Sequence, residues 1–236
     1  MKDSLRARLT GEFMGTALLL AAVVGSGIMG ERLFGNNVGL ALLVNTVATG
    51  AALVALILTF GPSSGAHFNP AVTLAEACLG GRAWGEVPIY IGAQLLGAFL
   101  GVIVANLMFG FPGVFLSQHV RSGQAQLFSE FVATFGLLTV IQGCARTRTN
   151  LSAFAVGAYI TSAYWFTAST SFANPAVTLA RSASNTFAGI RLGDAPGFIV
   201  AQLLGAGAAT VVSHWTLPRL QRPGREVAPI PNDPQD

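Results

Sequence analysis

The heptapeptide NPAVTLA occurs twice in this chain, at Asn69–Ala75 and again at Asn174–Ala180. Asparagine is a favoured helix N-cap. Proline is favoured at the first helical position, where its missing N–H costs no bond. Each copy therefore reads as the start of a helix. Asn69 and Asn174 can cap their helices and still offer amide N–H groups to an oxygen. A helix N-terminus carries about half a positive charge. Two such ends facing one another suit a neutral, hydroxylated molecule and oppose a cation, the proton included. Three other side chains could do chemistry: Glu12 and Glu130, each inside an apolar run, and His67, two residues before the first box. The chain has no nucleophile–base set, metal cluster or phosphate loop. We therefore expect neither an enzyme nor a cofactor or metal site. Cys78 and Cys144 have no metal-site spacing and read as small packing residues.

The elements that must position these residues are dictated by composition. Hydrophobic residues make up 52% of the chain and charged ones 10%. A soluble domain usually has about a quarter of its residues charged, so these few cannot cover a globular surface. Six apolar windows stand out: Leu9–Gly30, Val38–Phe60, Val87–Phe109, Gln126–Cys144, Leu151–Ala168 and Pro196–Trp215. Each approaches the roughly 20 residues that cross a hydrocarbon core. Only helices or closed barrels can span a bilayer, and these windows lack the alternation of barrel strands. The expected fold class is an all-α polytopic membrane protein. Lys2, Arg6 and Arg8 before the first window resemble a signal peptide, but Glu12 and the length of the run argue against cleavage.

The basic pI of about 9.3 reads as orientation rather than nucleic-acid binding. With both termini in the cytoplasm, nine of the basic residues lie inside: Lys2, Arg6, Arg8, Arg82, Arg146, Arg148, Arg219, Arg222 and Arg225. Arg32, Arg121, Arg181 and Arg191, four in all, lie at the outer face. The positive-inside rule favours that topology, and short loops suggest a bacterial inner membrane. The Pro-rich stretch over 221–236 reads as a disordered tail. His119 and His214 have no cluster to join. Asn150-Leu-Ser152 matches a glycosylation acceptor but falls in a cytoplasmic loop.

The duplication extends beyond the heptapeptide. Gly11–Leu20 (GEFMGTALLL) resembles Ser129–Leu138 (SEFVATFGLL), with Glu12 matching Glu130, and AQLLGA recurs at Ala93–Ala98 and Ala201–Ala206. The whole chain, 1–236, then reads as one domain of two repeats, about 9–109 and 126–215. Each has the order span, span, NPAVTLA, span. Three spans is an odd number, so the second repeat enters from the opposite side of the membrane. Inverted repeats of this kind are related by an axis in the membrane plane. Each NPAVTLA reads as a re-entrant half-helix, since ten residues rise only about 15 Å. Backbone left open at that depth must be buried in protein or line water. A water-filled pore is the simplest solution. Gly11-x-x-x-Gly15 and Gly97-x-x-x-Gly101 fit close helix crossing.

These residues carry a resemblance. SGAHFNPAVT at Ser64–Thr73, the second NPA box at Asn174–Ala176, Glu12, Glu130 and the AQLLGA pair together resemble the aquaporin family of major intrinsic proteins. The resemblance implies a right-handed bundle of six transmembrane helices plus two re-entrant half-helices. It also implies a homotetramer in the lipid bilayer with one pore per subunit, conducting water or, in the aquaglyceroporin branch, glycerol, urea and undissociated metalloid acids. In it, the NPA motifs Asn69, Pro70, Ala71, Asn174, Pro175 and Ala176 line the pore, and Glu12 and Glu130 accept N–H groups from the re-entrant loops. His67 lies at the cytoplasmic mouth, where a static lining role is expected over a pH gate.

The chain departs from that family where an arginine ordinarily follows the second box, because Val177 stands there. Spacing from the two boxes places the outer selectivity filter at Thr49, Ser162, Ser171 and Val177. That ring is small, weakly polar and uncharged, and so is expected to admit neutral solutes larger than water. Arg181 is one helical turn beyond Val177 and could hold its charge at the mouth. The plainer expectation is that it snorkels to the interface. Glu76, its counterpart in the first repeat, is expected to have a basic partner. The Val177 substitution resembles bacterial homologues linked to arsenic resistance, which makes arsenite or methylated arsenicals candidate cargo. A mainly water-selective pore, a proton-coupled transporter and a non-conducting structural tetramer are the competing readings.

Overall fold

The structure is a computed structural model that describes residues 4–147 and 151–216. Lys2, Arg148, the Asn150 sequon, Arg219, Arg222, Arg225 and the 221–236 stretch lie outside the described residues, as does the Arg146 side chain. The described chain is helical. In order, α1 is Leu5–Phe34, α2 Val38–Ser64, α3 Pro70–Cys78, α4 Val87–Met108, α5 Gln124–Thr147, α6 Ser152–Phe166, α7 Pro175–Ala180 and α8 Ala195–Thr216. Ser4 caps α1 by accepting Ala7 N at 3.2 Å. Asn37 does the same for α2 with Leu40 N at 3.1 Å. Both helices stop at a glycine with positive φ, Gly35 at 54° and Gly65 at 91°, a conformation that costs glycine nothing.

Among the described residues, five helices are long and apolar enough to cross a membrane. The chain is thus an all-α polytopic membrane protein. The fifth window of the sequence gave a shorter helix. α6 has 15 residues, and the chain then turns extended at Thr167.

Packing inverts the pattern of a soluble domain. Leu18, Val47, Leu96, Phe128, Val200 and Val211 face outward. The interior instead collects Glu12, Asn45, Gln94, Asn106, Glu130 and Gln202, with many glycines and alanines. Apolar burial cannot distinguish helix from lipid, so close approach and interhelical polar bonds hold such a bundle. α1 packs on α2 and α4, α5 packs on α6 and α8, and α2 against α6 joins the two sets. Small residues set the closeness. A Cβ at Gly97 would strike Phe13 O, one at Gly101 would strike Ala17 O, and one at Gly205 would strike Phe131 O. Gly92, on the same helix as Gly97, has open space around it.

One end of the first set is clamped by charge. Arg8 donates to both Glu86 oxygens, at 2.8 and 2.7 Å, and Arg82 reaches Glu86 at 3.0 Å. The other end is roofed by the segment 109–123. Phe115 N donates to Ala183 O at 3.1 Å, Ser117 N to Ser182 O at 2.9 Å, and Arg191 N to His119 O at 2.7 Å. In that roof, burial and the neighbouring charges of Arg121 and Arg181 hold the His119 imidazole below its ordinary pKa.

Overpacking a tight contact costs about 1–3 kcal/mol. Gly101→Leu and Gly205→Leu should each lower the thermal unfolding midpoint in detergent, whereas Gly92→Leu should leave it within about a degree. Equal midpoints for all three would refute the close-approach assignment.

Candidate functional site

The two NPAVTLA segments meet in the middle of the molecule. Asn69 caps α3, its Oδ1 accepting Ala71 N at 2.9 Å. Asn174 caps α7, its Oδ1 accepting Ala176 N at 3.0 Å and Val177 N at 3.3 Å. The amides then cross. Asn69 Nδ2 donates to Ala173 O at 2.8 Å, and Asn174 Nδ2 donates to Phe68 O at 2.7 Å. Each Nδ2 has two N–H groups, so one remains on each residue after the crossed bond. Pro70, Ala71, Pro175 and Ala176 are buried directly behind the caps.

The loops leading into both boxes have strained backbone. Ala66 and Phe68 have φ of 48° and 49°, and Ser171 and Ala173 have φ of 50° and 49°. A left-handed non-glycine residue costs roughly 1–2 kcal/mol. What offsets it is a buried carboxylate in each case. Glu12 accepts Ser64 Oγ at 2.8 Å, His67 N at 3.0 Å and Phe68 N at 2.8 Å. Glu130 accepts Phe172 N and Ala173 N, both at 2.9 Å.

Sequence reasoning missed the residues that steady these acids. Gln94 Nε2 donates to Glu12 at 2.8 Å and to Thr73 Oγ1 at 2.9 Å. Gln202 Nε2 donates to Glu130 at 2.6 Å and to Thr178 Oγ1 at 2.8 Å. The signal was present, since each glutamine is the only polar residue of an AQLLGA hexapeptide.

Around the two caps runs a cavity of about 580 Å³. At one end it is lined by Glu76, Arg82, His67 and Gly65. In the middle it is lined by Asn69 and Asn174. At the other end it is lined by Thr49, Tyr164, Ser171, Phe172, Val177 and Arg181. Its flanks are aliphatic, from Leu19, Val23, Leu53, Ile57, Val156 and Ile160. A neutral solute could slide along such walls and exchange hydrogen bonds with the polar atoms in turn. His67 is tied into its loop, with Nδ1 3.0 Å from Thr73 Oγ1 and its ring 5.8 Å from Tyr90.

Three expectations change. Ser162 is not in the cavity lining. It lies on the exposed face of α6, and its Oγ donates to Tyr159 O at 2.7 Å. The lining stripe of α6 is Ala153, Val156, Ile160 and Tyr164. Ser162 is two residues off that stripe, about 200° around the helix. Tyr164 takes the place, with its hydroxyl 3.3 Å from Thr49 Oγ1.

Arg181 does not snorkel. It is only 2% exposed and lines the cavity on the same face as Val177, one turn earlier, with its guanidinium over the Phe172 ring. Glu76 has no ion-pair partner among the described residues; the nearby cation, Arg82, is committed to Glu86.

Comparison with known proteins is consistent with this geometry. The family model described as Major intrinsic protein matches residues 2–162. Aquaglyceroporin AqpS of Rhizobium meliloti (strain 1021) is 51% identical over 229 residues, covering 95% of this chain and 98% of that protein. Aquaporin NIP6-1 of Arabidopsis thaliana is 33% identical over 218 residues, covering 89% of this chain and 70% of its own. Among solved structures, the aquaglyceroporin from Plasmodium falciparum matches with a TM-score of 0.68 over 90% of this chain and 97% of its own. At 20% identity that likeness is one of fold.

Removing the Glu130 carboxylate would leave Phe172 N, Ala173 N and Gln202 Nε2 without that acceptor. Each orphaned buried donor costs about 1–3 kcal/mol. Glu130→Ala should therefore destabilise the folded protein by at least about 3 kcal/mol, and Glu130→Gln by less. Thermal unfolding in detergent tests this, and a wild-type midpoint for the alanine variant would count against the carboxylate's role.

Proposed function

The chain belongs to the major intrinsic protein family, the aquaporins, and on that premise we propose which solutes it passes and how it sits in the membrane. It is a passive channel and not an enzyme. Its cargo is small, uncharged and hydroxylated: glycerol-like molecules and undissociated metalloid acids such as arsenite or methylated arsenicals, with water. The observation that carries this reading is Val177, which presents methyl groups to the cavity beside the second asparagine cap. The relative AqpS is named an aquaglyceroporin, which supports the same class. The bulk of Arg181 and Phe172 in the lining of that end favours the second reading, a mainly water-selective channel.

In this reading Asn69 and Asn174 are the midpoint donors, with Pro70, Ala71, Pro175 and Ala176 holding them in place. Thr49, Tyr164, Ser171 and Val177 form the outer constriction, and His67 lines the inner mouth. The fold has six membrane crossings, with α6 as the short one, plus α3 and α7 as re-entrant half-helices. Residues 9–109 and 126–215 act as inverted repeats within a single domain. The matching roles of Glu12 and Glu130, of Gln94 and Gln202, and of the two asparagines support that pairing. Both termini face the cytoplasm of a bacterial inner membrane, and four copies assemble through exposed apolar helix faces.

Stopped-flow light scattering on proteoliposomes tests the cargo. Wild type should pass glycerol and arsenite as well as water. Val177→Arg should cut glycerol flux about tenfold or more by filling the constriction and leave water flux largely intact. A wild type that passes water alone would establish the second reading.

A further inference from the structure

Two arginines, Arg181 buried and Arg121 half-buried, lie against one phenylalanine at the Val177 end of the cavity. The guanidinium carbons of Arg181 and Arg121 are 3.4 and 5.0 Å from the centre of the Phe172 ring. Neither has a carboxylate within ion-pair distance among the described residues.

Their hydrogen bonds differ. Arg121 is spent on carbonyls: Nε on Gly189 O at 2.8 Å, and the two terminal nitrogens on Ser169 O and Phe187 O, both at 3.3 Å. Arg121 is therefore a strut that ties the 109–123 roof to the loops beneath it. Arg181 makes one protein bond, from Nε to Ala188 O. Its two terminal nitrogens have no protein partner among the described residues, and the residue faces the cavity. In the same lining, the Ser171 hydroxyl is buried without a partner among the described residues.

A guanidinium does not shed its proton, and a buried charge without partners is strongly unfavourable. The Phe172 face offsets part of that cost, by about 2 kcal/mol at a desolvated site. The rest must come from oxygens that enter the cavity. Every molecule passing this end therefore meets two unspent N–H arms and a fixed positive charge. Val177, one turn earlier on the same stretch, offers neither.

Taking the channel reading above as given, we propose that Arg181 is the specificity-determining donor of the outer constriction. Its terminal N–H groups bind the hydroxyl oxygens of a neutral solute, and its charge, braced on Phe172, turns back cations. The solute class that fits is a neutral polyol or oxyacid with adjacent hydroxyls.

The test uses full-length protein in proteoliposomes with two readouts. Glycerol flux is followed by light scattering, and proton leak by an entrapped pH dye under a potassium diffusion potential. Arg181→Gln, checked for wild-type elution in detergent, should raise the proton leak at least about tenfold, since one charge a few ångströms away carries more than that. It should also slow glycerol several-fold. Arg181→Lys should restore the low leak but not the glycerol rate. If Arg181→Gln does not fold, Phe172→Leu keeps the Ala188 bond and removes only the brace, and its leak should still rise. A folded Arg181→Gln with wild-type leak and glycerol rate would overturn the assignment, as would an unchanged leak in Phe172→Leu. Failure of the solute reading shows separately, as a wild type with no glycerol flux, and the leak comparison still decides the role of Arg181.

Discussion

Non-helical backbone in the middle of a membrane protein needs acceptors and donors from within, because lipid supplies none. Here that demand falls on two carboxylates, Glu12 and Glu130, both fully buried. Each gathers loop N–H groups that no helix could satisfy. Each must in turn be held, which explains a buried glutamine on α4 and another on α8. The left-handed residues before both asparagines follow from this, since only that backbone aims successive N–H groups at one acid. The asparagine caps and the open passage around them are downstream of the same two acids.

The remainder of the bundle distributes polarity to suit its surroundings. Outward faces are apolar, and the interior combines small residues with paired polar ones. Apart from Glu12 and Glu130, the formal charges of the described residues are concentrated at the ends. The Arg8–Glu86–Arg82 cluster closes one end through ion pairs, while at the other end the Arg121 guanidinium is held by carbonyls beside the Arg191–Asp194 pair. The cavity thus has different electrostatics at its two mouths: among the described residues, Glu76 at one and Arg181 at the other have no ion-pair partner.

Much of the helical plan was legible in the sequence. The windows Val38–Phe60 and Val87–Phe109 fall within or one residue beyond α2 and α4, because hydropathy is a long, additive signal. The caps at Asn69 and Asn174 were legible because Asn-Pro has a local meaning. What depended on phase around a helix was not. Counting residues put Ser162 in the lining, but α6 turns Tyr164 inward and Ser162 outward. Arg181 was misjudged for a similar reason. Its place one turn beyond Val177 left both an outward and an inward course open, and what draws it inward is the Phe172 ring on the preceding loop. Gln94 and Gln202 went unremarked because their importance lies in a partner more than seventy residues away.

The crossed asparagine bonds have a consequence for how the protein is made. Phe68 O is satisfied by Asn174, 106 residues later, and Asn69 by Ala173, 104 residues later. At ordinary translation rates the first box emerges roughly 5–20 s before its counterpart. During that interval its strained loop has Glu12 and its first-half neighbours, but the Asn69 amide and the Phe68 carbonyl lack their crossed partners. The first half of the chain is therefore competent to insert but unable to finish, and biogenesis closes in a single late event, when the ribosome delivers the second asparagine.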